Sequence, residues 1–253
     1  MTGLNPVAFP VGIIIASLVS AVGIGGGILW MPFFIIFLKL PADSAVITSL
    51  LIQTAGMGSG SAACIKKKSA DLPLAGFLLL LTLPGIAVGS GLTRLLSAAN
   101  LELVLGIFTL TTAFLFVSAN QKYADTGKNR VPLARARRYA WGVSLLAVVS
   151  GMLSVSLGEW LVPLLRNRLK LRMHTAVGTS IVTIFGTCIA GAMFHWALGA
   201  AAAPSLLLWA VPGVLIGGQV GPRLAGRINE RILKEFFIFL LTLIGIHLIY
   251  NSY

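Results

Sequence analysis

The chain has 253 residues, a formal net charge of +12, and 57% hydrophobic against only 10% charged residues. With a mean hydropathy of +0.94 it has too little polar surface for a soluble globule of this size, and it reads as a polytopic helical membrane protein. Its Lys and Arg sit at the ends of apolar spans without aromatic interleaving, which points to membrane topology and away from nucleic acid. No run shows the period-two alternation of an outer-membrane barrel, so helices remain.

The first apolar stretch, residues 1–38, contains Gly23-Ile24-Gly25-Gly26-Gly27. Residues 7–38 as one straight helix would be about 48 Å long at about 1.5 Å per residue, well beyond a bilayer core of about 30 Å. The glycines therefore predict a break where two half-helices meet, the kind of interrupted helix that binds solutes in transporters. This N-terminus lacks a positive n-region and an A-x-A site, so we expect it to be retained. Apolar segments follow at 43–65, 72–95 and 101–119, then a polar basic linker at 120–139, then segments at 140–165, 174–198, 203–224 and 232–250.

The second four segments repeat the first four. A shift of 131 residues puts Gly27 on Gly158, Pro32 on Pro163, Thr48-Ser49 on Thr179-Ser180 and Pro73 on Pro204. Residues 1–119 and 140–253 thus form two repeats, and a solute site is expected between them.

Charge decides how the segments thread. If all eight simply crossed, 9 Lys and Arg would lie on the side of Lys66, Lys67 and Lys68 and 10 on the other. If residues 7–38 and 140–165 are instead broken hairpins that enter and leave on one face, 17 lie inside and only Lys39 and Arg94 outside. The positive-inside rule favours the hairpins. Each repeat then holds one re-entrant hairpin and three transmembrane helices, an odd number of crossings, so the repeats are inverted and both termini face outward. Two long tilted helices are the competing arrangement, and 140–165 is short enough to cross once.

The Gly23–Gly27 cluster followed five residues later by Pro32, the Thr-Ser pair in the next helix and the weaker second copy resemble the TauE/SafE family of sulfite and organosulfonate exporters. The resemblance spans nearly the whole chain and implies export of a small anion, such as sulfite, an organosulfonate or a related carboxylate, across a bacterial inner membrane. The second copy departs from the pattern: Ser154-Val155-Ser156-Leu157-Gly158-Glu159-Trp160 keeps one glycine of the triplet and adds an acid.

Unpaired N–H groups and helix dipoles at the two breaks suit an anion, which makes Gly25, Gly26, Gly27, Ser154, Ser156 and Gly158 candidate binding residues. Close helix packing is the alternative use of such small residues. The hydroxyls of Thr48, Ser49, Thr179 and Ser180 either ligate substrate or bond the carbonyl one turn back. Gln53, one turn after Ser49, adds an amide donor on the same face. Glu159, the acid in the apolar interior of the second repeat, needs a partner or a task, either proton coupling or selection against dianions. Trp30 and Trp160 are weaker candidates for cavity walls, since membrane aromatics also pack or sit at interfaces.

His174, His195 and His247 lie near span ends and form no cluster, and Cys64 and Cys188 read as free core thiols, so no metal or cofactor is expected. No P-loop, H-E-x-x-H or G-x-S-x-G occurs, and the chain reads as no enzyme. The expected partners are a small anionic substrate and the lipid bilayer, with a homodimer left open. A secondary transporter working by alternating access is the leading reading. A channel-like anion pathway and a non-transporting subunit of a membrane complex are the alternatives.

Overall fold

The fold comes from a computed structural model that describes residues 5–22, 24–118, 127–155, 157–225 and 230–252. Among the described residues there is no strand, only an isolated bridge between Lys128 and Leu171. The first segment divides into α1 (Ala8–Val22) and α2 (Gly27–Pro32). Pro32 has no N–H to donate, and the helix loosens into a π turn over Phe33–Phe37. Leu38 N then donates to Phe33 O and Leu40 N to Phe34 O, with Lys39 in the left-handed region at φ 48°.

Three long helices follow, α3 (Ala42–Lys66), α4 (Leu72–Thr93) and α5 (Ala98–Ser118). The linker contains a short helix, α6 (Leu133–Arg137), where the sequence predicts only a polar basic connection. The second half of the chain holds α7 (Ala140–Leu153), α8 (Gly158–Pro163) with a π turn over Leu164–Arg168, α9 (Met173–Ala197), α10 (Pro204–Ala225) and α11 (Glu230–Asn251). Here too Leu169 N donates to Leu164 O and Leu171 N to Leu165 O, and Lys170 takes φ 60°. The two halves of the chain match here in the backbone conformation of single residues.

Contacts between the helices fix their directions. On α10, Gly213 lies against Phe9 of α1 and Gly217 against Ile13, so these two helices run parallel. On α4, Gly85 meets Ser144 of α7 and Gly89 meets Val148, the same arrangement with the repeats exchanged. Helix α3 also runs with α10, Gly56 facing Val214 and Ser59 taking a hydrogen bond from Gln219, as α9 runs with α4. Because α1 and α3 share one direction, the α2 segment between them must travel back against both. The same holds for α8 between α7 and α9, and each broken segment reverses at its break.

Equivalent helices meet head to tail. Gly58 of α3 faces Phe185 of α9, while Ser61 Oγ donates to Ile181 O, so that pair is antiparallel. Gly106 of α5 faces Ile249 of α11 and Gly245 faces Leu110, which is antiparallel again.

The helices Leu72–Thr93, Ala98–Val117 and Met173–Ala197 are long and apolar enough to cross a membrane. Large apolar side chains such as Leu80, Phe114, Trp141 and Phe239 point outward, as a lipid-facing surface requires. At the basic end, Asp71 caps α4 by accepting from Leu74 N and also holds Val131 N at 3.0 Å, tying the linker to the helix bundle. Lys128 completes the tie: its N–H donates to Lys170 O and its carbonyl accepts from Arg172 N.

Candidate functional site

The two breaks touch. Helix α7 ends at Ser154, whose φ of 56° turns its carbonyl and hydroxyl toward α3. There Gln53 Nε2 donates to Ser154 O at 2.9 Å and lies 3.0 Å from Ser154 Oγ and 3.1 Å from Ser49 Oγ. Gly27, the first residue of α2, packs so closely that a Cβ would collide with the Ser154 carbonyl and come within 2.8 Å of Gln53 Nε2. Gly27, Ser49, Gln53 and Ser154 thus form one buried cluster built from both halves of the chain.

Gly25 and Gly26 are buried beside it, and Gly26 lies under the Trp30 ring, where a Cβ would sit 3.0 Å from Trp30 Cδ1. Gly158 and Glu159 open α8, and the Glu159 side chain is buried within the fold. Ser156 lies outside the described residues. Buried polar atoms without a hydrogen-bond partner among the described residues include Gln53 Oε1, Ser180 Oγ and Trp160 Nε1, which leaves donor and acceptor capacity inside an apolar fold.

The two threonines are placed elsewhere. Thr48 Oγ1 accepts from Ala203 N, just before α10, and Thr179 Oγ1 accepts from Asp71 N, the cap of α4. Both sit about two turns into their helices, and each fastens the start of a helix in the other half of the chain. Trp30 is sealed in an aromatic stack, 5.2 Å from Phe34 and 5.8 Å from Phe33, while Trp160 packs 5.8 Å from Phe108 of α5.

Near the cluster, His195 takes the hydrogen-bonded role that is one of the two its sequence position allows, and Cys188 lies in a crevice that the sequence does not mark. His195 Nε2 lies 2.8 Å from Gly151 O and so serves one of the last carbonyls of α7, which lack intrahelical partners. A small crevice beside Ser154 is lined by Ser150, Thr187 and Cys188 among others. Nothing local in the chain marks either feature, because the partners lie tens of residues apart.

The family model described as "Sulfite exporter TauE/SafE" matches residues 8–248. The chain belongs to the TauE/SafE family. It is 23% identical to "Probable membrane transporter protein YunE" of Bacillus subtilis (strain 168), over 95% of this chain and 96% of that one. It is 24% identical to "Probable membrane transporter protein YjnA" of the same organism, over 90% and 94% of the two chains. No solved structure matches it significantly. Membership in TauE/SafE, with these relatives and the apolar helices, identifies a membrane-embedded protein of a transporter family.

Proposed function

We propose that this TauE/SafE member is a secondary transporter that exports a small oxyanion, a sulfite, organosulfonate or related carboxylate, from the bacterial cytoplasm across the inner membrane by alternating access. The observation that carries the reading is the contact of the two breaks at Gly27 and Ser154, bridged by Gln53. A solute held there would touch both repeats, and rocking one against the other would open it to either side. Its binding groups are Gln53, Ser49, Ser154 and Ser180, the backbone of Gly25, Gly26, Gly27 and Gly158, and Ser156 by sequence; Thr48 and Thr179 steady the helices that carry them.

The antiparallel pairing of α3 with α9 and of α5 with α11 supports inverted repeats, because a two-fold axis that maps a helix onto an antiparallel neighbour lies across the helices, in the membrane plane. The reversal at each break supports the re-entrant hairpins. Lys128 and Arg130 join Lys170 and Arg172 at the end where α4 and α9 begin, which is the cytoplasmic end under the positive-inside rule. Basic groups there raise the local anion concentration, and outward movement of a monoanion gains about 2.3 kcal/mol per 100 mV of inside-negative potential.

The test is uptake of sulfite and of a small sulfonate into inverted membrane vesicles. Saturable uptake that Gly27→Ala abolishes is expected; uptake equal to that of vesicles lacking the protein would overturn the reading. Arg168→Cys should react with impermeant thiol reagents only from the cytoplasm, and labelling from outside would refute the hairpins.

A further inference from the structure

The short helix of the linker presents a surface that the transport reading does not use. Ala136 of α6 is buried in a cluster that includes Leu74 and Leu78 of α4 and Leu169 and Leu171 after the second π turn. With that alanine facing inward, Arg135, Arg137 and Arg138 are all exposed. The chain then passes through one turn into α7, Tyr139 N donating to Ala136 O at 2.9 Å. Leu133, before the arginines, is 40% exposed, and Trp141, after them, is 76% exposed.

This surface is held in place. Asp71 Oδ2 accepts from Val131 N two residues before α6, and Lys128 pairs through its backbone with Lys170 and Arg172. Arginines on a fixed frame lose less freedom on binding than arginines on a loose loop.

Its charge is uncompensated nearby. Between Gly127 and His174 the only acid in the sequence is Glu159, which is buried in α8. Guanidinium forks match pairs of phosphate oxygens, so the preferred ligand group is a phosphate. The neighbouring apolar side chains decide which kind. A small soluble anion has nothing to lay on an exposed indole and leucine, whereas a phospholipid has acyl chains that cover them.

The position along the chain agrees. Trp141 stands at the start of α7, where an apolar helix begins, and tryptophan there favours the level of the lipid headgroups. Basic residues clustered directly beside a membrane helix attract anionic lipid. The corresponding stretch of the first half, at the shift of 131 residues, is Leu4-Asn5-Pro6-Val7, without a charge. The feature therefore belongs to the second half alone.

We propose that α6 and the start of α7 bind an anionic phospholipid such as phosphatidylglycerol, its phosphate on Arg135, Arg137 and Arg138 and its acyl chains against Trp141 and Leu133. The inference stands apart from which solute the protein carries.

Native mass spectrometry of the purified full-length protein, offered equal amounts of phosphatidylglycerol and phosphatidylcholine, tests it. Preferential retention of phosphatidylglycerol is expected. Arg135→Gln, Arg137→Gln and Arg138→Gln combined should weaken it about a hundredfold, at about fivefold for each charge. Trp141→Ala should weaken it about tenfold through lost apolar contact. Lys66→Gln, Lys67→Gln and Lys68→Gln combined remove the same charge from a cluster that has neither guanidinium nor indole, and should leave retention unchanged. Size-exclusion profiles equal to that of the parent protein show that the variants are folded. Equal retention of the two lipids overturns the proposal, as does an equal loss from the arginine and lysine variants, which would mark general surface charge. Retention that Trp141→Ala does not alter overturns it too. So does displacement of the lipid by sulfite or inorganic phosphate, which would assign the arginines to a small soluble anion.

Discussion

At the first break Gly26 caps the returning helix with φ −78° and ψ −10°; at the second, Leu157 does so with φ −75° and ψ −9°. Each carbonyl receives two N–H groups, from Leu29 and Trp30 in one repeat and from Trp160 and Leu161 in the other. The glycine at 26 is therefore not what permits the turn, since leucine makes the same one. Gly27 is required for a different reason, the approach of the Ser154 carbonyl. Once the backbone is set in both copies, the side chains are free to diverge: the first break remains small and neutral, and the second carries Ser154 and the buried Glu159.

The sharpest way to break this comparison is to add one methyl group at each of two neighbouring glycines. Gly27→Ala should abolish transport and lower thermal stability, because the backbone facing it cannot yield; overpacking of this kind costs about 1–3 kcal/mol or more. Gly26→Ala meets side chains alone, the edge of the Trp30 ring and a methyl of Ile15, and should retain most activity. Equal loss in both, measured by vesicle uptake and melting temperature, would return the need for glycine to the turn itself.

Gln53→Leu comes next. It removes the amide that joins the breaks and leaves the Ser154 carbonyl buried without that donor, at a cost of about 1–3 kcal/mol. Uptake should fall strongly, while Ile184→Leu, at the matched position in the second repeat, should be tolerated. A smaller effect is expected from Glu159→Gln, which keeps the shape and removes the charge. If the acid carries protons, the pH profile of uptake changes; an unchanged profile leaves it a structural or selective role. Smallest of all are Lys39→Gly and Lys170→Gly, which relieve the same left-handed conformation in each repeat. Both should stabilise by about 1 kcal/mol or less, and by similar amounts, in a thermal unfolding assay.

Much of the scaffold could be read from the chain because it is written in local signals. Prolines and glycines matched at a shift of 131 residues marked the breaks, and apolar length marked the helices, so α3 was expected at 43–65 and runs over Ala42–Lys66. Gln53 and Ser49 were placed together by helical spacing alone, and they lie 3.1 Å apart. The rest depends on contacts that no local pattern records. That Thr48 meets Ala203, that Ser154 meets Gln53 and that Asp71 holds Val131 follow from how distant helices cross. The π turns escaped notice because a proline in an apolar run predicts a kink without saying which carbonyls will be bridged.

The reciprocal threonine bonds, Thr48 to Ala203 and Thr179 to Asp71, have a consequence for how the protein is made. During synthesis Thr48 emerges long before the amide it will receive, and Asp71 waits similarly for Thr179, so neither half can complete its own seams. Two fragments cut within the linker and produced together should reassemble, whereas either alone should be cleared by membrane proteases.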